Sequence, residues 1–408
     1  MILFLMYTFL GVVGYKYFYE VTNDTLNPFS LSLFCWLFSF ALCSLRLNPS
    51  LPNISYRTHI VVIIVDFLLF FSGLLTIVPY EEQIKSSNRP RFYASSDYKK
   101  ILNVVIILSI LPIAFILYKN NFDLSKLSTN GDGFDKKTDV EIYENAGSLR
   151  YLANFLPYIP ILTTFYLLFG ERVKKVEAIV YVVLSLLIYA YLWFVLISRG
   201  SLLISLVGIT YLVNRKYSIS IKKLLAIALL SCILFAVLFS FRLDHRSSAF
   251  YGSTSNPMIN SSYNYITVGF VNLDKLLTHG SPLTVITSTM YSLSNLLGIY
   301  HENDMLYYTT GPYNTITFVY KFYHDLGYLG IVLYPLLIYY IVGRVYVAAK
   351  SKHFYYHLII AAYMKPIITV GYGLYFIGSF SIESNFYVII LIVLYLTSLQ
   401  KQNNILTI

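Results

Sequence analysis

The sequence predicts an all-α, polytopic integral membrane protein with about eleven transmembrane helices. Of its 408 residues, 57% are apolar and 12% are charged, whereas about 25% of the residues of an ordinary soluble domain are charged. Several apolar runs reach the roughly 20 residues that a helix needs to cross the hydrocarbon core of a bilayer. We therefore expect residues 1–408 to form a single transmembrane domain.

Eleven apolar runs separated by polar segments are the predicted spans. The first has neither a basic segment before it nor a small-residue cleavage site, so we expect a retained helix and not a signal peptide. The seventh is short, and crosses a bilayer only if it is tilted or extended by flanking residues. In chain order the runs are Ile2–Phe18, Phe29–Leu45, Ile60–Val78, Ile101–Tyr118, Tyr151–Phe169, Ala178–Ile197, Ser201–Val213, Leu224–Phe241, Leu326–Gly343, Phe354–Ile377 and Phe386–Ser398.

Short basic loops predict the orientation, because loops rich in Lys and Arg stay on the cytoplasmic side. Three such loops are Glu171–Glu177, Asn214–Lys223 and Gly343–His353. With these inside, residues 242–325 form a large extracytoplasmic loop region within the transmembrane domain. A hydrophilic segment of that length is more than a simple connection, so we expect it to carry a binding face.

Arginines at predicted membrane boundaries are the first candidate functional residues. Arg199 lies between two apolar runs, and Arg242 and Arg246 stand four residues apart just after another, with Asp244 and His245 beside them. A guanidinium forms bidentate hydrogen bonds with phosphate oxygens, so this group suits a lipid diphosphate. The alternative is that each arginine anchors a helix at the interface or pairs with the neighbouring aspartate.

A polar stripe entering the ninth predicted span is the second candidate. Thr317, Lys321, His324 and Asp325 recur every three or four residues, which predicts a helix with one polar face. A carboxylate and an imidazole in a desolvated site are suited to acid–base catalysis. The same spacing also allows an ordinary ion pair between Lys321 and Asp325 within a helix-packing network.

Metal, nucleotide and nucleic-acid chemistry find little support in the sequence. His301, Glu302 and Asp304 lack the spacing of a metal site, and neither a phosphate-binding loop nor a dinucleotide fingerprint is present. The net charge of +10 comes from Lys and Arg scattered between apolar runs and not from one basic face. We therefore expect no metal, no cofactor and no nucleic-acid partner.

Three segments carry a resemblance to a known family. They are LISRGSLL (196–203), FRLDHR (241–246) and NTITFVYKFYHDLGYLG (314–330), the last with Asp325, Gly327 and Gly330 in a D-x-G-x-x-G arrangement. In these motifs and in its layout from about Tyr151 onward, the chain resembles the Wzy-type oligosaccharide repeat-unit polymerases of bacterial O-antigens and capsules.

The resemblance implies a membrane glycosyltransferase of C-type architecture in the bacterial inner (cytoplasmic) membrane, with an active site facing outward. Such an enzyme transfers an undecaprenyl-diphosphate-linked glycan to the non-reducing end of another lipid-linked repeat unit. The implied diphosphate ligands are Arg199, Arg242 and Arg246, with His245 and Arg150 as further candidates. The implied candidates for the base that activates the acceptor hydroxyl are His324 and Asp325, or alternatively His301 and Glu302. Expected partners are lipid-linked glycans and membrane lipids, with a chain-length regulator and a flippase as further candidates.

Two other functions remain open from the sequence. A lipid-linked oligosaccharide flippase would place ionisable residues within its helices and build two related halves. The intramembrane charges Asp66 and Lys365, with Glu383 at an edge, keep this alternative open. An O-antigen ligase would share the diphosphate site but use a different acceptor.

Overall fold

The regular structure in the computed structural model is helical throughout the described part of the chain. The structure describes residues 1–48, 51–86, 94–119, 155–171, 173–194, 199–224, 226–227, 230, 257–281, 283, 316–351, 354–371 and 380–406. In chain order the α-helices are α1 (Ile2–Thr22), α2 (Pro28–Ser44), α3 (Tyr56–Thr76), α4 (Glu81–Ser86), α5 (Ser96–Lys119), α6 (Ile159–Phe169), α7 (Lys175–Phe194), α8 (Arg199–Tyr217), α9 (Pro257–His279), α10 (Phe318–Leu326), α11 (Tyr328–Ser351), α12 (Tyr356–Ile368) and α13 (Phe380–Leu406).

The helices belong to two compact units. Unit 1 comprises Met1–Asn88, Ser220–Ser351 and Pro366–Glu383, and unit 2 comprises Arg89–Ile219, Lys352–Lys365 and Ser384–Ile408. Within the described residues, four helical segments are long and apolar enough to cross a membrane. They are Ile2–Thr22, Tyr56–Lys85, Ser96–Phe115 and Tyr328–Ser351.

Most of the predicted spans coincide with described helices. The short run Ser201–Val213 lies inside the 19-residue helix α8, which extends it at both ends. The ninth run, Leu326–Gly343, begins at the last residue of α10 and otherwise lies in α11 after Gly327. Residues 257–279, within the predicted outer loop region, form the 23-residue helix α9. Most of Leu224–Phe241 lies outside the described residues.

Helix α9 is part of the core of unit 1. It packs against α2, α3 and α10, and it buries Val268, Phe270, Leu273 and Leu276 completely. The ring of Phe270 lies 5.0 Å from that of Trp36 on α2. Close packing of these large side chains stabilises unit 1, since a buried side chain gains many dispersion contacts with its neighbours.

Helices α1 and α2 form an antiparallel hairpin whose turn follows from local sequence. Asn23 ends α1 in the left-handed region at φ 48°, a conformation that asparagine tolerates better than most residues. Asn27 caps α2 by accepting a hydrogen bond from the amide of Phe29 at 2.7 Å, and Pro28 occupies the first helical position, where its missing N–H costs nothing.

A buried ion pair holds the end of this hairpin to the last turn of α11. The Nζ of Lys350 lies 2.6 Å from Oδ2 of Asp24, and the two side chains are 5% and 2% exposed. The hydroxyl of Tyr346 donates a second hydrogen bond to the same carboxylate at 2.8 Å. Removing either residue would leave the other charge buried without compensation, which is strongly destabilising.

The two glycines of the D-x-G-x-x-G segment allow the turn and the close packing between α10 and α11. Gly327 ends α10 at φ +59°, a backbone conformation that side chains disfavour. At Gly330, a Cβ would overlap the carbonyl of Phe322. The two helices therefore cross at the closest approach that a residue without a side chain permits.

This crossing gives a stability prediction. We expect Gly330→Ala to lower the free energy of unfolding by about 1–3 kcal/mol, the usual cost of forcing extra atoms into a packed site. The measurement is the midpoint of thermal aggregation of the detergent-purified protein. Gly11→Ala is the matched control, because its Cβ would meet that of Leu37 at an ordinary 3.4 Å. An equal midpoint for both variants would contradict the predicted crowding at the crossing.

Unit 2 has its own polar network. The hydroxyl of Tyr98 donates to the carbonyl of Leu162 at 2.8 Å, which joins α5 to α6. The hydroxyl of Tyr211 lies 2.8 Å from Nδ1 of His357, which joins α8 to α12. These bonds satisfy polar groups that burial would otherwise leave costly.

Candidate functional site

The candidate site centres on α10, a nine-residue helix that is almost completely buried. Three of its ionisable side chains lie in the interior: Lys321 is 3% exposed, His324 1% and Asp325 0%. The helix that the polar stripe predicted is therefore present, although it begins at Phe318. Buried ionisable groups are costly unless they are paired or used, which makes this helix the leading candidate in unit 1.

His324 and Asp325 lie next to each other at the C-terminal end of α10. Nδ1 of His324 is 3.6 Å from Oδ1 of Asp325, beyond hydrogen-bond length but within reach of an ion pair. The carbonyl of His324 accepts a hydrogen bond from Oγ of Ser281 at 2.8 Å, which ties this end of α10 to the segment after α9. A carboxylate beside an imidazole in a dry site can take up and return a proton.

Aromatic side chains hold α10 in position. The ring of Phe318 packs edge-on against Trp36 at 5.4 Å, and that of Phe322 stacks on Tyr334 at 4.6 Å. Thr317, which caps the helix, is fully buried, and its hydroxyl has no hydrogen-bond partner within the described residues. The surroundings of α10 are thus closely packed, and within the described residues they leave one polar atom, the hydroxyl oxygen of Thr317, unsatisfied at the N-terminal end of the helix.

The ends of three helices meet beside His324, and we call this region the polar end of unit 1. They are the first turn of α3, the last turns of α9 and the C-terminal end of α10. Oδ1 of Asp274 accepts hydrogen bonds from the amide of Ser55 at 2.9 Å and from the hydroxyl of Thr58 at 2.7 Å, so α9 caps α3. Nη1 of Arg57 lies 3.4 Å from the carbonyl of Leu277.

Two tyrosines extend the polar end toward α11. The rings of Tyr323 and Tyr328 pack edge to face at 5.2 Å, and their side chains share a hydrogen bond. Burial raises the pKa of Tyr323, and Tyr328 adds to this rise. The hydroxyl of Tyr323 therefore stays protonated and can donate a hydrogen bond at neutral pH.

The described residues include only part of the predicted site. His324 and Asp325 are brought together in α10 as described above. Arg199 is the first residue of α8 in unit 2, and its side chain is not described. The remaining predicted site residues lie outside the described part of the chain: His301, Glu302, Arg242, His245, Arg246 and Arg150.

Arg57 is a candidate that sequence reasoning missed. The third predicted span begins at Ile60, which left Arg57 in a predicted loop. In the structure the helix begins at Tyr56 and includes Arg57. The signal that could have identified it is an arginine immediately before a long apolar run, where a guanidinium stands at headgroup level.

Two ionisable residues named as transporter features lie within apolar helices. Asp66, in the middle of α3, is half-buried, and its Oδ1 is buried without a hydrogen-bond partner among the described residues. Lys365 is 3% exposed near the end of α12. Asp66 thus lies within a helix that is long and apolar enough to cross a membrane, and carboxyl groups in such helices often mark functional positions.

A metal centre is not formed by the residues that the structure describes, among which no three His, Cys, Asp or Glu side chains cluster closely enough to hold an ion. The comparisons with known proteins add no name: no family model, no curated protein and no solved structure matches this chain.

Proposed function

We propose that this chain is a membrane glycosyltransferase that polymerises undecaprenyl-diphosphate-linked oligosaccharide repeat units into a surface polysaccharide. The observation that carries the proposal is the buried pair of His324 and Asp325 at the polar end of a unit built from apolar, membrane-length helices. The motif resemblance adds the substrate class.

In the proposed reaction, a hydroxyl at the non-reducing end of the acceptor attacks the anomeric carbon of the donor glycan. The new glycosidic C–O bond forms as the bond from the anomeric carbon to the diphosphate oxygen breaks, and the lipid diphosphate leaves with the electron pair. Asp325 or His324 accepts the proton of the acceptor hydroxyl. The alternative base pair remains His301 and Glu302.

Cationic side chains stabilise the leaving group in this proposal. Fixed guanidinium groups offset the charge that develops on the departing diphosphate without reorganising water. The proposed ligands are Arg199, Arg242 and Arg246, assisted by His245 and Arg150. Because the donor glycan is already activated as a lipid diphosphate, the reaction requires no nucleotide-sugar donor.

The finer architecture is also part of the proposal. It comprises about eleven spans in a C-type glycosyltransferase arrangement, where each span needs roughly 20 residues, in the bacterial inner membrane. In the proposed orientation residues 242–325 and the reaction face outward, because basic loops such as those between the later helices favour the cytoplasmic side. A chain-length regulator and a flippase are the proposed protein partners.

Gel analysis of surface polysaccharide tests the proposal. We expect a deletion strain to display single capped repeat units and no ladder, and a plasmid copy to restore the ladder. Copies carrying Arg242→Ala or Arg246→Ala are expected to give single units at a normal protein level, since a lost phosphate ligand stops transfer but not insertion. Uncapped core in the deletion strain would instead indicate a flippase or ligase, and a full ladder from both arginine variants would remove them as ligands.

The flippase is the second candidate because of Asp66. A carboxyl group without a partner in the middle of a membrane helix is typical of proton-coupled transport. It accounts less well for the buried ionisable groups of α10, which lie at one end of unit 1 and not along its helices.

A further inference from the structure

Arg57 has an environment suited to binding an anion. It is the second residue of α3 and is exposed. One guanidinium nitrogen is 3.4 Å from the carbonyl of Leu277 near the end of α9, a long contact that leaves most of the five N–H donors available. Tyr56, the residue before Arg57 on α3, is also exposed.

Two further tyrosines belong to this group. Tyr323 and Tyr328 both interact electrostatically with Arg57, and their side chains are hydrogen-bonded to each other. A guanidinium with phenol hydroxyls around it offers a positive charge and several O–H donors, which is the set that phosphate oxygens accept from. The exposed groups come from the start of α3 and the start of α11. Tyr323, at the end of α10, is 4% exposed and packs against the ring of Tyr328.

A second cation lies near the guanidinium. Lys275 is on the last turns of α9, next to the carbonyl that Arg57 contacts. The carboxylate of Asp274 also lies nearby, and its Oδ1 accepts hydrogen bonds from the first turn of α3. The proposed anion site therefore consists of side chains and not of the backbone amides of that turn.

The surface beside Arg57 identifies the kind of anion. One turn further along α3, an exposed apolar strip begins at Ile60 and continues through Ile63 and Phe67. On α11, which packs along α3, the exposed apolar side chains Leu329 and Leu333 follow Tyr328 in the same way. A polar group at the start of two apolar strips matches a headgroup above an acyl or isoprenoid chain.

We propose that Arg57, together with the exposed Tyr56 and Tyr328, binds the phosphate of a membrane lipid whose hydrocarbon chain lies along the exposed faces of α3 and α11. Phosphate is shared by a phospholipid headgroup and a polyprenyl diphosphate. This site does not depend on the proposed glycosyl transfer, and a polyprenyl diphosphate there would add a ligand to the proposed reaction.

Native mass spectrometry of the purified full-length chain tests the site. The probes are undecaprenyl diphosphate, phosphatidylglycerol and, as the phosphate-free control, undecaprenol. We expect Arg57→Gln to weaken retention of at least one phosphate-bearing lipid about tenfold or more, the range expected for a lost charge-assisted contact. Undecaprenol is expected to bind equally to both proteins.

Arg344→Gln is the matched control variant. Arg344 is exposed on α11, and its Nη1 bonds the hydroxyl of Tyr80 at 2.9 Å, so it reproduces an arginine–tyrosine contact away from the polar end. Its retention of the lipids is expected to equal that of the wild-type protein. If Arg57→Gln yields no folded protein, Tyr328→Phe replaces it, and a loss of at least about threefold is expected from one missing hydrogen bond.

Each outcome bears on the proposal. A selective loss of undecaprenyl diphosphate identifies a substrate site, a selective loss of phosphatidylglycerol identifies a structural lipid, and a loss of both identifies a general phosphate site; all three support it. Wild-type retention in Arg57→Gln, an equal loss in Arg344→Gln, or an equal loss of undecaprenol would overturn it. The polysaccharide gel is independent of this binding measurement, so either proposal can fail alone.

Discussion

Asp325→Asn is expected to abolish the polysaccharide ladder while the protein remains in the membrane at its normal level. The amide keeps the size of the carboxyl group and its capacity to accept a hydrogen bond, but it cannot take the proton of an acceptor hydroxyl. Loss of a general base lowers the rate about 10²–10⁴-fold, which is sufficient to leave single units on a gel. His324→Gln is expected to act in the same direction.

The matched control is Asp274→Asn at the same polar end. Its carboxylate caps α3 through Ser55 and Thr58, so its replacement is expected to reduce stability by about 1 kcal/mol and leave the ladder present. Immunoblotting of membranes gives the protein level for each variant. A normal ladder from a strain expressing Asp325→Asn would contradict the assignment of this carboxylate to the chemistry, and loss of protein together with the ladder would show a structural role.

The second large effect is expected at the buried ion pair of Asp24 and Lys350. Asp24→Asn leaves the ammonium of Lys350 in an interior where its side chain is 5% exposed, and Lys350→Met leaves the carboxylate of Asp24 without its cationic partner. Breaking one side of such a pair costs about 3–5 kcal/mol because a charge stays buried without its partner. Each single variant is expected to lose most of its folded protein on mild heating in detergent.

The double variant separates charge from packing. With both charges removed, Asp24→Asn with Lys350→Met is expected to recover most of the lost stability, since an apolar replacement of a buried pair is often neutral. Size-exclusion profiles after heating give the folded fraction of all four proteins. Additive damage in the double variant would show that the two residues stabilise the fold independently.

Long apolar runs predicted much of the helical structure, because burial in lipid or in a helical core depends on local composition. Helices α1, α2 and α3 lie where hydropathy placed them. Helix α9 was missed because polar residues such as Asn264 and Thr267 interrupt its pattern. Both are buried, and Asn264 accepts a hydrogen bond from Asn48 at 2.9 Å. The two asparagines are 216 positions apart in the sequence, so no local pattern predicts this contact.

The candidate site, like the fold, was predictable only in its local parts. The polar stripe of α10 is visible in the spacing of Lys321, His324 and Asp325, because a helical period brings residues of one face together. The surroundings of Arg57 are not visible, since its contacts come from α9, α10 and α11. The same reason explains why the pairing of Asp24 with Lys350 needed the folded structure.

Reconstitution with defined substrate is the most direct test of the proposed activity. The purified chain in liposomes is given an undecaprenyl-diphosphate-linked repeat unit as the only glycan, and the products are separated by mass. The account predicts glycans of two and more repeat units on one lipid, with one undecaprenyl diphosphate released for each new linkage. Transfer of intact single-unit lipid across the bilayer with no new glycosidic bond would contradict it and identify a transporter.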